Sequence, residues 1–162
     1  ILEKKDIYLE NPVVQTDVIF LRKGKGFDDL KCGEPVVRIR KQGDKIITTI
    51  KKYVDGIKDR LEAECEILDG KAFEKFLGLL DFIPVVTVKK ERRIGTYGDA
   101  IISFDYVDGL GSFVEVEIIS DDSRVQIDLL KLDTIISELG LSKQNIVNKP
   151  YDEMLFERRD KL

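Results

Sequence analysis

Three acidic residues alternate along a predicted hairpin in the stretch FDYVDGLGSFVEVEI. Asp105 precedes the glycines of the turn, and Glu115 and Glu117 follow them. Because side chains in a β-strand alternate between its two faces, Glu115 and Glu117 point the same way. Carboxylate oxygens are the ligands that hard divalent cations prefer. The hairpin therefore presents either a metal site or, more simply, the solvated face of an antiparallel sheet.

Charged residues recur on one face of several other predicted strands. In VVRIRK that face is basic, in VKKERR it is basic again, and in RLEAECEI it is mainly acidic. For any single strand a solvated face is the simpler interpretation. If the sheet curls so that these faces point inward, the basic groups can hold phosphate oxygens while the acids hold metal. The charged positions on this face are Arg38, Arg40, Lys51, Arg60, Glu62, Glu64, Glu66, Lys90 and Arg92.

Seven runs of alternating residues predict the strands that would position these side chains. Two helices are also predicted: Lys71–Leu80, with Asp69 as its N-cap, and Ser123–Leu139, which stops at Gly140. Strands joined mostly by hairpins predict an α+β fold, an antiparallel β-barrel with both helices packed outside. The predicted strands are Val13–Leu21, Pro35–Lys41, Lys45–Tyr53, Arg60–Ile67, Pro84–Ile94, Asp99–Val107 and Ser112–Ile119.

The composition excludes several classes of mechanism and partner. The chain of 162 residues has no histidine, so Ser-His-Asp and Cys-His catalysis are excluded. A net charge of −4 gives no general basic field for nucleic acid. No apolar run approaches the roughly 20 residues that span a membrane. We therefore expect a cytoplasmic protein that binds neither nucleic acid nor membrane, with Cys32 and Cys65 as reduced thiols.

The order of these motifs resembles that of the CYTH superfamily, the triphosphate tunnel metalloenzymes. The matching stretches are QTDVIF, VVRIRK, TTIKK, RLEAECEI, VKKER and FDYVDGLGSFVEVE, and KPYDEML resembles the closing Ser-Tyr-x-x-Leu-Leu stretch of the family. Arg-x-Arg alone is weak evidence, whereas the Gly-Leu-Gly-x-Phe-Val-Glu-x-Glu stretch is much more specific. The superfamily includes class IV adenylyl cyclases and thiamine or inorganic triphosphatases. The resemblance therefore implies a tunnel-shaped barrel that acts on triphosphates.

The resemblance also implies roles for individual positions. Basic residues would bind the triphosphate, and acidic residues would bind Mg²⁺ or Mn²⁺. In the acidic strand two registers stay open, either Glu62 with Glu64 or Glu64 with Glu66. The predicted site comprises Arg38, Arg40, Lys51 and Arg60 for the substrate, Lys90 and Arg92 for catalysis, and Glu62, Glu64, Asp105, Glu115 and Glu117 for the metal.

One motif of the family is absent from the sequence. Its signature Glu-x-Glu-x-Lys belongs to a first strand, which a helix separates from the Gln-x-Asp strand. The stretch ILEKK at residues 1–5 stands too close to Gln15 to leave room for that helix. We therefore expect one CYTH-like domain over residues 1–162 that is incomplete at its N-terminus, with ILEKK as the tail of the helix. Such a chain would lack two family acids and one lysine.

Three functions remain in competition. The first is cyclisation of ATP to cyclic AMP and pyrophosphate, which the Gln-x-Asp and Gly-Leu-Gly-x-Phe-Val-Glu stretches favour. The second is hydrolysis of an inorganic, thiamine or nucleoside triphosphate. The third is a non-catalytic module that binds phosphate or nucleotide. One constellation can serve both reactions because phosphoryl transfer depends mainly on positioning and electrostatics. We expect a monomer or a homodimer.

Overall fold

Seven strands form one antiparallel sheet in the computed structural model, which describes residues 7–30, 33–53, 60–119 and 124–159. The sheet order is β4-β3-β2-β1-β5-β6-β7, and within the described residues the edge strands β4 and β7 are not paired with each other. The predicted α+β class and antiparallel sheet are confirmed. The strands are β1 (Val13–Arg22), β2 (Pro35–Gln42), β3 (Lys45–Tyr53), β4 (Arg60–Glu66), β5 (Phe82–Tyr97), β6 (Ala100–Val107) and β7 (Gly111–Glu117).

In the described part of the chain three α-helices accompany the sheet: α1 (Gly70–Leu79), α2 (Val125–Glu138) and α3 (Tyr151–Arg159). The first two match the predicted helices, and the Asp69 side chain caps α1 by accepting a hydrogen bond from the backbone N–H of Ala72. The sequence pattern did not predict α3, because five of its nine residues are charged and its amphipathic signal is weak. No helix in the described part of the chain is long and apolar enough to cross a lipid bilayer.

The strand register places the predicted charges on a shared face. Directly paired residues lie on the same side of a sheet, and Asp17 of β1 pairs with Arg40 of β2. We call the face that carries these two residues the inner face, and the opposite face the outer face. The predicted alternation is confirmed, since the inner face carries Arg38, Arg40, Lys51, Glu62, Glu64, Lys90, Arg92, Asp105, Glu115 and Glu117.

Helix α1 covers the outer face near the middle of the sheet. Its buried Leu77 packs in a cluster with Phe20, Val37, Ile39 and Phe82, all of them less than 10% exposed. Helix α2 lies beside the outer face of β6 and β7, where its apolar side chains and those strands line a shared cavity. These two helices therefore pack outside the sheet, as the sequence predicts.

The unpredicted helix α3 packs against the inner face. Its Leu155 and Phe156 contact an apolar cluster that includes Ile19 and Leu21 of β1. The Arg158 and Arg159 side chains donate hydrogen bonds to backbone carbonyls of the β6–β7 turn and of β5. The inner face is thus divided along its strands into an apolar end covered by α3 and a charged part that contains Asp17. This division confines the polar site to one region of the sheet.

Candidate functional site

The centre of the charged region is a buried carboxylate between two cations. Asp17 is only 3% exposed, and Arg40 donates two hydrogen bonds of 2.7 Å to its two carboxylate oxygens. Lys90, on the strand at the other side of β1, places its Nζ 3.5 Å from Asp17 Oδ2. Side chains from β2 and β5, which are not adjacent in the sheet, thus both contact Asp17 on β1, the strand between them. From the sequence, Asp17 was recognised only within the QTDVIF motif and was not assigned to the site. Because Gln15 and Asp17 are two residues apart on one strand, alternation already placed both on the same polar face.

A third basic residue, Arg38, lies beside this centre. Arg38 donates a hydrogen bond of 2.8 Å to the Thr49 hydroxyl, and that hydroxyl lies 2.9 Å from Glu64 Oε2. A weaker ion pair of 3.4 Å joins Arg38 directly to Glu64. The Arg38 Nε is buried and finds no hydrogen-bond acceptor among the described residues. An N–H left without an acceptor is unfavourable when buried, so an anion that supplied an oxygen here would be stabilised.

Burial and the neighbouring charges shift the pKa values of the groups in this cluster. Burial lowers the pKa of Arg38, and the neighbouring positive charge of Arg40 lowers it further. Burial also lowers the pKa of Lys90, although the charge of Asp17 opposes this shift. For Asp17 burial favours the neutral form, but the hydrogen bond and charge of Arg40 outweigh burial and lower its pKa. Asp17 is therefore ionised, and it partly offsets three neighbouring cations.

The acids of β4 pair with basic residues of the adjacent strands. Glu62 makes an ion pair of 2.7 Å with Lys51, and Glu64 reaches Arg38. Among the described residues, Glu66 makes one salt bridge, to Lys45 at 3.9 Å in an exposed position. Of the two registers left open by the sequence, the structure therefore brings Glu62 and Glu64 to the predicted substrate-binding residues. The side chain of the predicted Arg60 lies outside the described residues, as do Cys32 and the ILEKK stretch.

A second charged cluster lies on β5, β6 and β7. Arg92 donates hydrogen bonds of 2.7 and 2.5 Å to Asp105, and its Nη2 also lies 2.5 Å from Glu115 Oε2. Burial disfavours the charged guanidinium, but the two carboxylates outweigh burial and raise the pKa of Arg92. Glu117 lies on the same face and makes no salt bridge to any other described residue. The structure thus brings together two of the three predicted acids of the hairpin.

Helix α3 adds an aromatic residue that the sequence analysis did not assign to the site. The ring of Tyr151 lies 5.5 Å from Lys90 Nζ and 5.0 Å from the ring of Phe113. Burial raises the pKa of Tyr151, and the charges of Glu115 and Asp105 raise it further. Tyr151 therefore stays protonated and borders both charged clusters. Only the packing of α3 on the inner face reveals this position.

Comparison with known proteins identifies the family of the chain. The model of the CYTH domain matches residues 1–151, which is most of the sequence. The chain belongs to the CYTH domain family. The resemblance stated from the sequence motifs is therefore confirmed, and this CYTH fold places its charged residues on the inner face of the antiparallel sheet.

Two curated relatives of this CYTH domain are named as adenylate cyclases. The protein named "Putative adenylate cyclase MJ0240", from Methanocaldococcus jannaschii, is 33% identical over 144 residues, covering 86% of this chain and 80% of the relative. Adenylate cyclase CyaB from Aeromonas hydrophila is 30% identical over 94 residues, covering 57% of this chain and 49% of the relative. Both names match the cyclase branch that the motifs favour.

Solved structures share the fold of this CYTH domain. The PH1819 protein of Pyrococcus horikoshii superposes with a TM-score of 0.78 at 25% identity, covering 98% of this chain and 91% of that one. The Hippeastrum protein HpAC1, described as having a dominant triphosphatase activity, superposes with a TM-score of 0.62 at 17% identity, covering 94% and 85%. The second likeness concerns the fold alone.

CYTH enzymes are metal-dependent, and the acids of the inner face have suitable chemistry for a divalent cation. One oxygen each of Asp105 and Glu115 lies 2.5 Å from the same nitrogen of Arg92, so these oxygens are at most twice that distance apart. Both oxygens are bound to that Arg92 nitrogen, so a hard cation shared by them would have to displace it. Among the described residues, no group of three or more potential ligands is close enough to hold a metal. The donor types therefore fit the ion, but a complete ligand set is not assembled.

Proposed function

We propose that this protein is a divalent-metal-dependent enzyme that acts on triphosphates, and that it cyclises ATP to cyclic AMP and pyrophosphate. The observation that carries the proposal is the central cluster of Arg38, Arg40 and Lys90 around the single buried carboxylate of Asp17. Three cations against Asp17 and the partly exposed Glu64 leave a local positive charge, although the whole chain is negative. Such a cluster attracts a polyanion.

The basic residues offer the type of contact that a triphosphate requires. Guanidinium groups bind phosphate oxygens through two parallel N–H donors, and an ammonium group adds a compact charge. Arg38 has a buried Nε without an acceptor among the described residues, so a phosphate oxygen would complete its hydrogen bonding. Lys51 lies on the adjacent strand and is held by a partly exposed acid. We infer that these residues bind the phosphate chain along the inner face.

In the proposed reaction the ribose 3′ oxygen attacks the α-phosphorus and the bond from that phosphorus to the bridging oxygen breaks. The proton of the 3′ hydroxyl passes to water, and the bridging oxygen leaves with the bonding electron pair as part of pyrophosphate. We assign to Lys90 and Arg92 the stabilisation of the negative charge that develops on the phosphate oxygens. A divalent cation, when bound, would neutralise part of the phosphate charge. Its candidate ligands are the predicted acids Asp105, Glu115, Glu117, Glu62 and Glu64, of which Asp105 and Glu115 share a contact in the described structure.

Hydrolysis of a triphosphate is the alternative reaction. It uses the same phosphate-binding groups, with water attacking the terminal phosphorus instead of an internal hydroxyl attacking the α-phosphorus. The similarity in fold to a protein with triphosphatase activity supports keeping this candidate. The names of the curated relatives favour cyclisation.

One incubation distinguishes these functions. The protein is mixed with ATP or with tripolyphosphate in the presence of Mn²⁺, and cyclic AMP, pyrophosphate and orthophosphate are separated and quantified. Cyclic AMP with an equal amount of pyrophosphate supports cyclisation, and orthophosphate without cyclic AMP supports hydrolysis. If no product forms while calorimetry detects tripolyphosphate binding, the protein acts as a binding module. If tripolyphosphate does not bind at all, the proposed site is wrong.

A further inference from the structure

A deeply buried negative charge, that of Asp17, lies in the middle of the proposed anion site. The side chain of Asp17 is 5% exposed, as is that of Lys90, and that of Arg40 is 13% exposed. A carboxylate that repels phosphate would be expected to weaken such a site. Its position therefore requires an explanation beyond general charge balance.

The geometry of Asp17 gives that explanation. Arg40 reaches it from β2 with two hydrogen bonds of 2.7 Å, which fix both the position and the plane of the guanidinium group. Lys90 reaches the same carboxylate from β5, on the opposite side of β1. Asp17 on β1 thus fixes the positions of the Arg40 guanidinium from β2 and the Lys90 ammonium from β5. Without it, two like charges on flexible side chains would separate from each other.

We propose that Asp17 is a positioning residue of the triphosphate site, which holds Arg40 and Lys90 side by side in the orientation that receives the phosphate chain. This inference rests on the proposed function. A long basic side chain that is already ordered loses less conformational freedom when it binds, so fixing two of them in advance strengthens anion binding. The gain from positioning must exceed the repulsion between Asp17 and the ligand.

Replacing Asp17 by Asn tests whether the gain from positioning exceeds the repulsion between Asp17 and the bound anion. The substitution removes a negative charge from an anion site, so an acid that acted only through its charge would give tighter binding of tripolyphosphate when replaced. A positioning role predicts the opposite, a loss of affinity of roughly tenfold or more. Calorimetric titration with tripolyphosphate, with Mn²⁺ present throughout, measures the change. Equal or tighter binding by Asp17→Asn would overturn the inference.

The pH dependence of binding supplies a second readout. Asp17 favours the protonated form of Lys90, so Asp17→Asn should move the loss of tripolyphosphate affinity at alkaline pH to a lower pH. An unchanged alkaline limb contradicts the contact between the two residues. The charged and titratable groups that face Lys90 from the packed elements are Asp17, Arg40, Arg92, Asp105 and Tyr151.

Two further variants keep the test decisive if Asp17→Asn does not fold. Asp17→Glu retains the charge but moves the carboxylate by one methylene, so it should fold and still bind tripolyphosphate more weakly than the wild type. Wild-type affinity in Asp17→Glu would show that only the charge matters and would overturn the inference. Glu91→Gln removes an exposed acid next to Lys90 in sequence but on the outer face, and it should bind as the wild type does.

The outcomes separate this inference from the function on which it rests. If the wild-type protein does not bind tripolyphosphate, the proposed function fails. If the wild-type protein binds and both Asp17 variants bind equally well, only the positioning role fails.

Discussion

At the scale of single residues, the ion pair of Arg40 and Asp17 is a buried contact whose loss destabilises the fold. From the sequence, removing a cation that points into an anion site would be expected to relieve repulsion and leave the fold intact. The structure changes this expectation, because Arg40 makes two of the hydrogen bonds that stabilise the buried Asp17. Lys90, at 3.5 Å, is the weaker partner.

We therefore predict that Arg40→Ala lowers the free energy of unfolding by about 3 kcal/mol, because it removes both 2.7 Å hydrogen bonds that Arg40 donates to a buried carboxylate. Urea denaturation followed by circular dichroism measures this change. Lys41→Ala is the matched control, since Lys41 is the exposed neighbour on the outer face. If both variants lose the same small amount of stability, the ion pair does not contribute as described.

Glu115 gives a prediction about metal binding. Gln keeps the size of the side chain but loses the charge, which makes it a poorer ligand for a hard cation. Glu115 is half-exposed and Asp105 remains bound to Arg92, so Glu115→Gln should fold while losing both Mn²⁺-dependent stabilisation and turnover. Thermal melts with and without Mn²⁺, run beside the turnover assay, measure this. The control is Glu74→Gln on α1, and retention of the wild-type response in Glu115→Gln would remove Glu115 from the metal site.

At the scale of secondary-structure elements, helix α3 closes the apolar end of the inner face and brings Tyr151 to the charged part. Its Phe156 ring meets that of Phe27 edge to face at 5.2 Å and packs on the buried cluster around Leu21. A helix of nine residues has little tendency to form alone, so its position depends on these contacts. The element that carries Tyr151 is thus held mainly by a few apolar side chains.

We predict that Phe156→Ala lowers the free energy of unfolding by about 2 kcal/mol, less than the loss at a fully buried Phe because this ring is only partly buried. Amide exchange of α3 should accelerate more than that of α1, since the substitution releases one helix before the whole fold. Leu79→Ala is the control, because Leu79 is 78% exposed on α1. Exchange in α3 that matches the wild type would show that Phe156 does not hold the helix.

At the scale of the whole molecule, the stability at acid pH depends on the buried acid at the centre of the sheet. The folded state holds the pKa of Asp17 below its ordinary value of 3.8. A carboxyl with a lowered folded pKa stabilises the protein above its unfolded pKa, and this stabilisation is lost as the pH falls through the folded value. The ion pairs of the central cluster are thus linked to the acid unfolding of the entire sheet.

We predict that the difference in unfolding free energy between the wild type and Asp17→Asn is largest near neutral pH and shrinks between about pH 5 and pH 2. Urea titrations at several pH values measure it. The exposed turn residue Asp44 provides the control variant Asp44→Asn, which should follow the wild type across this range. A difference that does not change with pH would mean that Asp17 is not an ionised, stabilising group in the folded protein.

The sequence by itself predicted the seven strands from period-two alternation, and the two outer helices from apolar residues at helical spacing and from their caps. Period-two patterning fixes which side chains of one strand share a face. That Arg38 and Glu117 lie on the same face of the sheet was predicted from the similar charge pattern of the strands, and the observed register confirms it. The predicted hairpin turn also holds, with Gly109 and Gly111 at positive φ. The order of the charged motifs identified the family, because these motifs follow one another on the strands that form the inner face.

Only the tertiary structure decided which charges meet. Alternation says nothing about neighbours across the sheet, so the sequence could not show that Asp17 is shared by Arg40 and Lys90, or that Glu62 and Glu64 rather than Glu66 reach the predicted substrate-binding residues. Helix α3 was missed because its charged sequence hides a small apolar contact surface, and with it the position of Tyr151 beside Lys90 was missed. These features depend on strand order and packing, which bring together residues far apart in the chain.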